Sequence, residues 1–180
     1  MSSLRGDLLA CLCGAILVVA MVAERQAQSG DVSARSMLAV RRPYTLVGVQ
    51  SDKCVSAPRA ALAKMGAPLE ISNCDGSARQ QFNLEPRAER SYRVQNVATG
   101  MCLDVQSADT HGGAPVIQFS CNEGRNQRWA FTRVSPQVYE LTAVHSNQVL
   151  DVKGASVEDG APLEQWDVSN ASNQRFRLVH

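Results

Sequence analysis

Residues 113–129 read GAPVIQFSCNEGRNQRW, and two other stretches follow the same template: GAPLEISNCDGSARQQF at 66–82 and GAPLEQWDVSNASNQRF at 160–176. They end on Phe82, Trp129 and Phe176, each 47 residues from the next. An earlier landmark keeps step at intervals of 48 and 47 residues: Cys54-Val55-Ser56, Cys102-Leu103-Asp104 and Val149-Leu150-Asp151. Landmarks sharing one period mark a supersecondary unit written three times. A unit this short buries little apolar surface alone, so the three must assemble around a common core.

Within each unit the pattern is that of strands. Tyr92-Arg93-Val94-Gln95-Asn96-Val97 and Phe176-Arg177-Leu178-Val179 alternate apolar and polar positions. Turn signals separate the runs at Thr99-Gly100, His111-Gly112-Gly113, Glu123-Gly124 and Asp159-Gly160. Only Arg59 to Lys64 carries a helical stripe. The expected fold is all-β, a closed three-lobed barrel, or β-trefoil, of about 47-residue repeats at about 44–91, 92–138 and 139–180.

The composition agrees with a small exported protein. The chain has 180 residues, a net charge of +1 and 5% aromatic residues. That length holds one domain with a leader, and the near-neutral charge argues against nucleic acid as a partner. Leu8 to Ala23 is a nearly unbroken apolar run preceded by Arg5, the layout of a signal peptide over residues 1–23. The run is shorter than a comfortable membrane span. Cleavage leaves no stable membrane insertion, and an uncleaved anchor is the alternative. Residues 24–43 are polar and small and read as a flexible linker, ending in Arg41-Arg42-Pro43. The expected location is extracellular, or periplasmic in a bacterium.

Cys11 and Cys13 belong to the leader, and four cysteines remain. Cys54 and Cys74 are 20 residues apart, and Cys102 and Cys121 are 19 apart. In the third unit Val149 and Val168 stand at both cysteine places, as two side chains in contact would be replaced together. Of the three pairings open to four cysteines, Cys54–Cys74 and Cys102–Cys121 follow. Disulfides suit an exported chain. A zinc site is disfavoured, because there is no Cys-x-x-Cys and no His pair near the cysteines.

The repeated Gln-x-aromatic ending resembles the QxW motif of the ricin-type (ricin B-like) lectin domain, and the Cys-Leu-Asp-Val and Gly-Ala-Pro-Val segments match the same family over about residues 44–180. The resemblance implies a β-trefoil with one shallow sugar site per lobe. Each site has an Asp after the first strand, a polar residue and an aromatic before the second cysteine, and an Asn-Gln pair opening the QxW motif. The chemistry is consistent. An aromatic plate meets the C–H face of a pyranose, a carboxylate accepts two hydroxyl hydrogens, and an Asn amide both donates and accepts. The QxW aromatics themselves belong to the core.

Carried over residue by residue, the third lobe is complete: Asp151, Trp166, Asn173 and Gln174, with Glu164 at the usual Gln position. The second lobe has Asp104, Phe119, Asn126 and Gln127, but Ile117 stands where a polar residue is expected, and His111 is an added candidate contact. The first lobe replaces the Asp by Ser56, the aromatic by Ser72 and the Asn by Arg79, and is expected to be structural.

The main expectation is a secreted lectin for galactose-type or other pyranose units of glycans or polysaccharide, with no catalysis, no metal and no cofactor. Glycoside hydrolysis needs two carboxylates close together. Asp104 and Asp151 hold equivalent places in different lobes. The rival readings are the receptor-binding subunit of a multi-chain toxin, with a toxin or enzyme chain encoded separately, and a trefoil that binds protein or has only a structural role.

Overall fold

The computed structural model describes residues 42–180. The leader and nearly all of the linker expected from the sequence lie outside the described residues. Twelve strands run through the described residues, four to a lobe. The first lobe has β1 (Thr45–Gly48), β2 (Cys54–Ser56), β3 (Glu70–Ser72) and β4 (Phe82–Arg87). The second has β5 (Ser91–Asn96), β6 (Cys102–Val105), β7 (Val116–Phe119) and β8 (Arg128–Ser135). The third has β9 (Val138–Ala143), β10 (Val149–Val152), β11 (Ala161–Trp166) and β12 (Phe176–Val179).

The outer strands of each lobe close a ring. β1 pairs with β12, β12 with β9, β9 with β8, β8 with β5 and β5 with β4, all antiparallel. The Tyr44–Phe82 bridge completes it, so the ring of outer strands leaves no long edge among the described residues. The three inner hairpins, β2–β3, β6–β7 and β10–β11, cover one end and meet in turn through Pro68–Ile117, Pro115–Glu164 and Ala161–Ile71. This is the β-trefoil the repeat predicts.

The Gly-Ala-Pro landmark makes those contacts. Gly66, Gly113 and Gly160 hold φ of +82°, +88° and +84°, a region glycine enters without steric cost. Their N–H groups donate to Gln118 O, Gln165 O and Ile71 O of the next lobe at 2.8, 2.8 and 2.9 Å. Phe82, Trp129 and Phe176 are fully buried at the shared core with Leu46, Leu103 and Leu150. Burying each such side chain stabilises the fold by about 1.5–3 kcal/mol.

Both disulfides form as paired from the sequence, Cys54–Cys74 and Cys102–Cys121, each with Cα atoms 5.1 Å apart. One local expectation fails: residues 59–64 do not form a helix. They contain a single 3-10 turn at Arg59–Ala61. The carbonyls of Ala61, Leu62 and Lys64 surround Gln118 Nε2 of the second lobe at 2.9–3.1 Å, so a tertiary partner takes the groups a longer helix would have bonded internally.

Candidate functional site

The third lobe builds its site on the β10–β11 hairpin. The register sets Val149 opposite Trp166 and Asp151 opposite Glu164. Side chains alternate across a strand, so these four share one face, while Leu150 and Gln165 point to the other. The turn Ser172–Gln174 then delivers two amides to Asp151. Asn173 Nδ2 donates to both carboxylate oxygens at 2.9 Å, and Gln174 Nε2 donates to Oδ2 at 2.9 Å. Gln174 is fully buried, donates also to Asp167 O and accepts from Ser169 N–H, so it braces the loop and the carboxylate together.

Above this base lies an open cleft of about 550 Å³ lined by Asp151, Lys153, Glu164, Trp166, Asn173 and Gly113. Asp151 and Glu164 are 5% and 6% exposed, whereas Trp166 is 46% exposed. Lys153 Nζ stands 3.3 Å from Glu164 Oε2. Burial pushes the Asp151 carboxyl above its ordinary value, Gln174 pulls it back, Glu164 adds to the rise and Asn173 opposes it.

The Trp166 ring rests against the second lobe. A Cβ placed on Gly112 would lie 3.4 and 3.5 Å from Trp166 Cε3 and Cδ2, and one on Gly113 would lie 3.2 Å from Cζ3. Gln165 Nε2 donates to the carbonyls of Asp109 and His111 at 2.8 and 2.9 Å. His111 therefore belongs beside the third-lobe hairpin by its backbone, while its exposed ring meets Asp109 Oδ1 at 2.8 Å. No sequence pattern signals this buttress, or Lys153, because the first joins different repeats and the second is a surface lysine in an ordinary turn.

The second lobe repeats the frame with fewer polar groups. Gln127 Nε2 donates to Asp104 Oδ2 at 2.7 Å and to Ser120 O at 2.9 Å. Asn126 Nδ2 donates to Val105 O at 3.1 Å. Ile117 is buried opposite Asp104, and Phe119 is half-buried. Burial raises the Asp104 carboxyl, opposed by the Gln127 and Asn126 amides and by His145. His145 comes from the third lobe and its Nε2 lies 2.8 Å from Asp109 O, a contact absent from the sequence reading.

The first lobe fills its own place. Arg79 is 9% exposed and donates to Ser72 Oγ at 3.1 Å, Asp75 Oδ2 at 3.0 Å and Ala57 O at 3.3 Å. Ser56 and Ser72 share a hydrogen bond of 2.7 Å, and Gln80 Nε2 donates to both. The Gln80 brace survives, and the Arg79 guanidinium stands beside it.

The family model for the ricin-type β-trefoil lectin domain matches residues 42–176. The curated proteins contain no significant sequence match. Among solved structures the chain is similar to the designed threefold-symmetric protein ThreeFoil, at 36% identity over 77% of this chain and 98% of that one, with a TM-score of 0.74. It is also similar to 1,3Gal43A, an exo-β-1,3-galactanase from Clostridium thermocellum, at 29% identity and TM-score 0.71, covering 78% of this chain and only 30% of the galactanase. The Rhizoctonia solani agglutinin shares the fold at 16% identity and TM-score 0.68, over 77% of this chain and 94% of that one.

Proposed function

The chain belongs to the ricin-type β-trefoil lectin family, and from that premise we propose that it is an exported lectin that binds pyranose units of glycans chiefly through its third lobe. The observation that carries this reading is the exposed Trp166 ring beside the buried, amide-braced Asp151 in an open cleft. A sugar's C–H face lies on the indole, and its hydroxyls donate to a carboxylate already oriented by Asn173 and Gln174. Both carboxylates of the cleft serve as hydrogen-bond acceptors, which is a binding role and not a catalytic one.

Asp104, Phe119, Asn126 and Gln127 form a second, weaker site, since Ile117 supplies no polar contact. The first lobe is structural. Residues 1–23 act as the export signal and 24–43 as a linker. The similarity to part of an exo-β-1,3-galactanase favours galactose-type sugars. Each hydrogen bond to a hydroxyl nets only about 1 kcal/mol against water, so one site is weak and two on a rigid body favour clustered glycans. A glycan array with the wild-type chain, Asp151→Ala and Asp104→Ala tests the assignment. The largest loss should come from Asp151→Ala, a smaller one from Asp104→Ala. Undiminished binding by both variants refutes the site assignment. Binding to protein that free sugar does not compete would favour the toxin-subunit or protein-binding reading.

A further inference from the structure

We infer that the third-lobe cleft selects a sugar bearing a protonated amine, a hexosamine unit, over its hydroxyl and N-acetyl counterparts. This rests on the glycan-binding reading above and names the ligand class of that same site.

The first lobe supplies the template. The Arg79 guanidinium is bounded by Ala57 O, Ser72, Asp75 and, at 4.0 Å, Glu70 Oε1. The repeat sets these positions equivalent to Val152, Trp166, Ser169 and Glu164. Three of those four line the third-lobe cleft. Arg79 itself corresponds to Asn173, whose short amide reaches only Asp151 and Val152 O. The third lobe has Ser169 where Asp75 stands, keeps the glutamate of that wall as Glu164, and opens a cleft beside it.

The third lobe also shows where an ammonium sits. Lys153 Nζ lies 3.3 Å from Glu164 Oε2, although 60% of the Lys153 side chain is exposed and it can return to water. With Asp151 and Glu164 against Lys153 alone, the wall carries an excess of one negative charge. A ligand ammonium there gains a charge-assisted bond to Glu164 and lies near the exposed Trp166 ring, which attracts a cation. The second lobe has Ile117 at this place and offers no such wall.

Calorimetric titration of the intact protein with methyl glycosides of galactosamine and glucosamine, against their hydroxyl and N-acetyl forms, tests this, with a chelator present. At about pH 6.5 the amine form should bind about three- to tenfold tighter than both counterparts, and at about pH 9 the advantage should disappear. Glu164→Gln should abolish the ratio, and Lys153→Met, which removes the competing ammonium, should enlarge it. Trp166 emission places the event in the third lobe, because the other tryptophan, Trp129, is fully buried. Equal binding of all three forms, or a ratio that survives Glu164→Gln, overturns the inference while leaving the lectin reading intact. Absence of binding to every sugar overturns both.

Discussion

Asn173 Nδ2 stands 2.9 Å from each carboxylate oxygen of Asp151, so one amide nitrogen fixes the plane of the acid that faces the cleft. Gln174 adds a third bond from the buried side. The acid is thereby pre-oriented, and a sugar need not pay for ordering it.

Asp151→Ala should weaken third-lobe binding by at least about tenfold, since a charged acceptor is lost. It should also destabilise the fold by about 1–3 kcal/mol, because two buried amides lose their partner. Asp151→Asn, which keeps the shape, should lose the binding with a smaller stability cost. Titration calorimetry and denaturant unfolding separate the two effects. Ser56→Ala, in the first lobe, should leave glycan binding as it is.

Much of this arrangement was legible in the sequence, and the physical reason is the repeat. Asp151, Trp166, Asn173 and Gln174 lie within one unit, where local register and one turn bring them together. The cysteine pairing was readable for the same reason, through Val149 and Val168 in the lobe that lacks it. Contacts between units left no trace. Gly112 against Trp166, His145 near Asp109 and Gln118 ringed by the 61–64 carbonyls join residues whose spacing follows no period. The first-lobe substitutions Ser56, Ser72 and Arg79 were legible, but the reach of Arg79 to Ser72 and Asp75 depends on packing no pattern encodes.

Acidification should release the glycan before the fold is lost. Burial raises the Asp151 and Asp104 carboxyls, so both take up protons above the usual aspartate range and cease to be charged acceptors. Binding should fall about tenfold on that side of neutrality. The stability contribution has the opposite sense. The folded chain holds these protons to a higher pH than the unfolded chain, so their contribution is greatest below the unfolded value and declines as pH rises through the raised folded value. The stability of Asp151→Asn relative to wild type should therefore improve as pH rises across that interval. Asp75 and Asp159, lowered chiefly by Ser77 and Lys53 respectively, act in the other direction. Binding isotherms and near-ultraviolet circular dichroism across the pH range check both statements.

Reducing either disulfide should cost about 3 kcal/mol, the loop-closure value for segments of 20 and 19 residues. The third lobe carries valine at both places, Val149 buried and Val168 52% exposed, so its fold stands there without sulfur. Replacing Cys102 and Cys121 together by Val should therefore cost less than replacing either alone by Ser, which buries a hydroxyl at the fully buried Cys102 place. Urea unfolding of the three variants orders them.

Arg79→Ala should destabilise the fold by about 1–3 kcal/mol and leave glycan binding unchanged. Its guanidinium satisfies Ser72, Asp75 and Ala57 O from a position 9% exposed, and its loss strands those acceptors. A gain of glycan binding by this variant would mean that the first lobe is only blocked, and not also short of its aromatic and its acid. Unfolding curves beside calorimetry distinguish the cases.

Gly112 lies against Trp166 across the lobe boundary. Its counterparts are Met65, whose Sδ meets Ser120 Oγ at 3.2 Å beside Phe119, and Asp159, which binds Asn73 and Lys53 beside Ser72. Met65 and Asp159 each bond the residue just after β7 or β3 of the next lobe, and glycine at the third place has no side chain to extend over Trp166. Gly112 is not in the left-handed region, so its backbone accepts a side chain, and a Cβ would stand at ordinary contact distance from the indole. The longer atoms of Gly112→Met must then lie along the ring. That variant should lose about tenfold in third-lobe binding with little change in melting temperature, whereas Met65→Gly should strengthen the second site. Titration with Trp166 emission as the readout decides the first. Unchanged binding in Gly112→Met would show that the second lobe supports the indole without controlling which face the sugar uses.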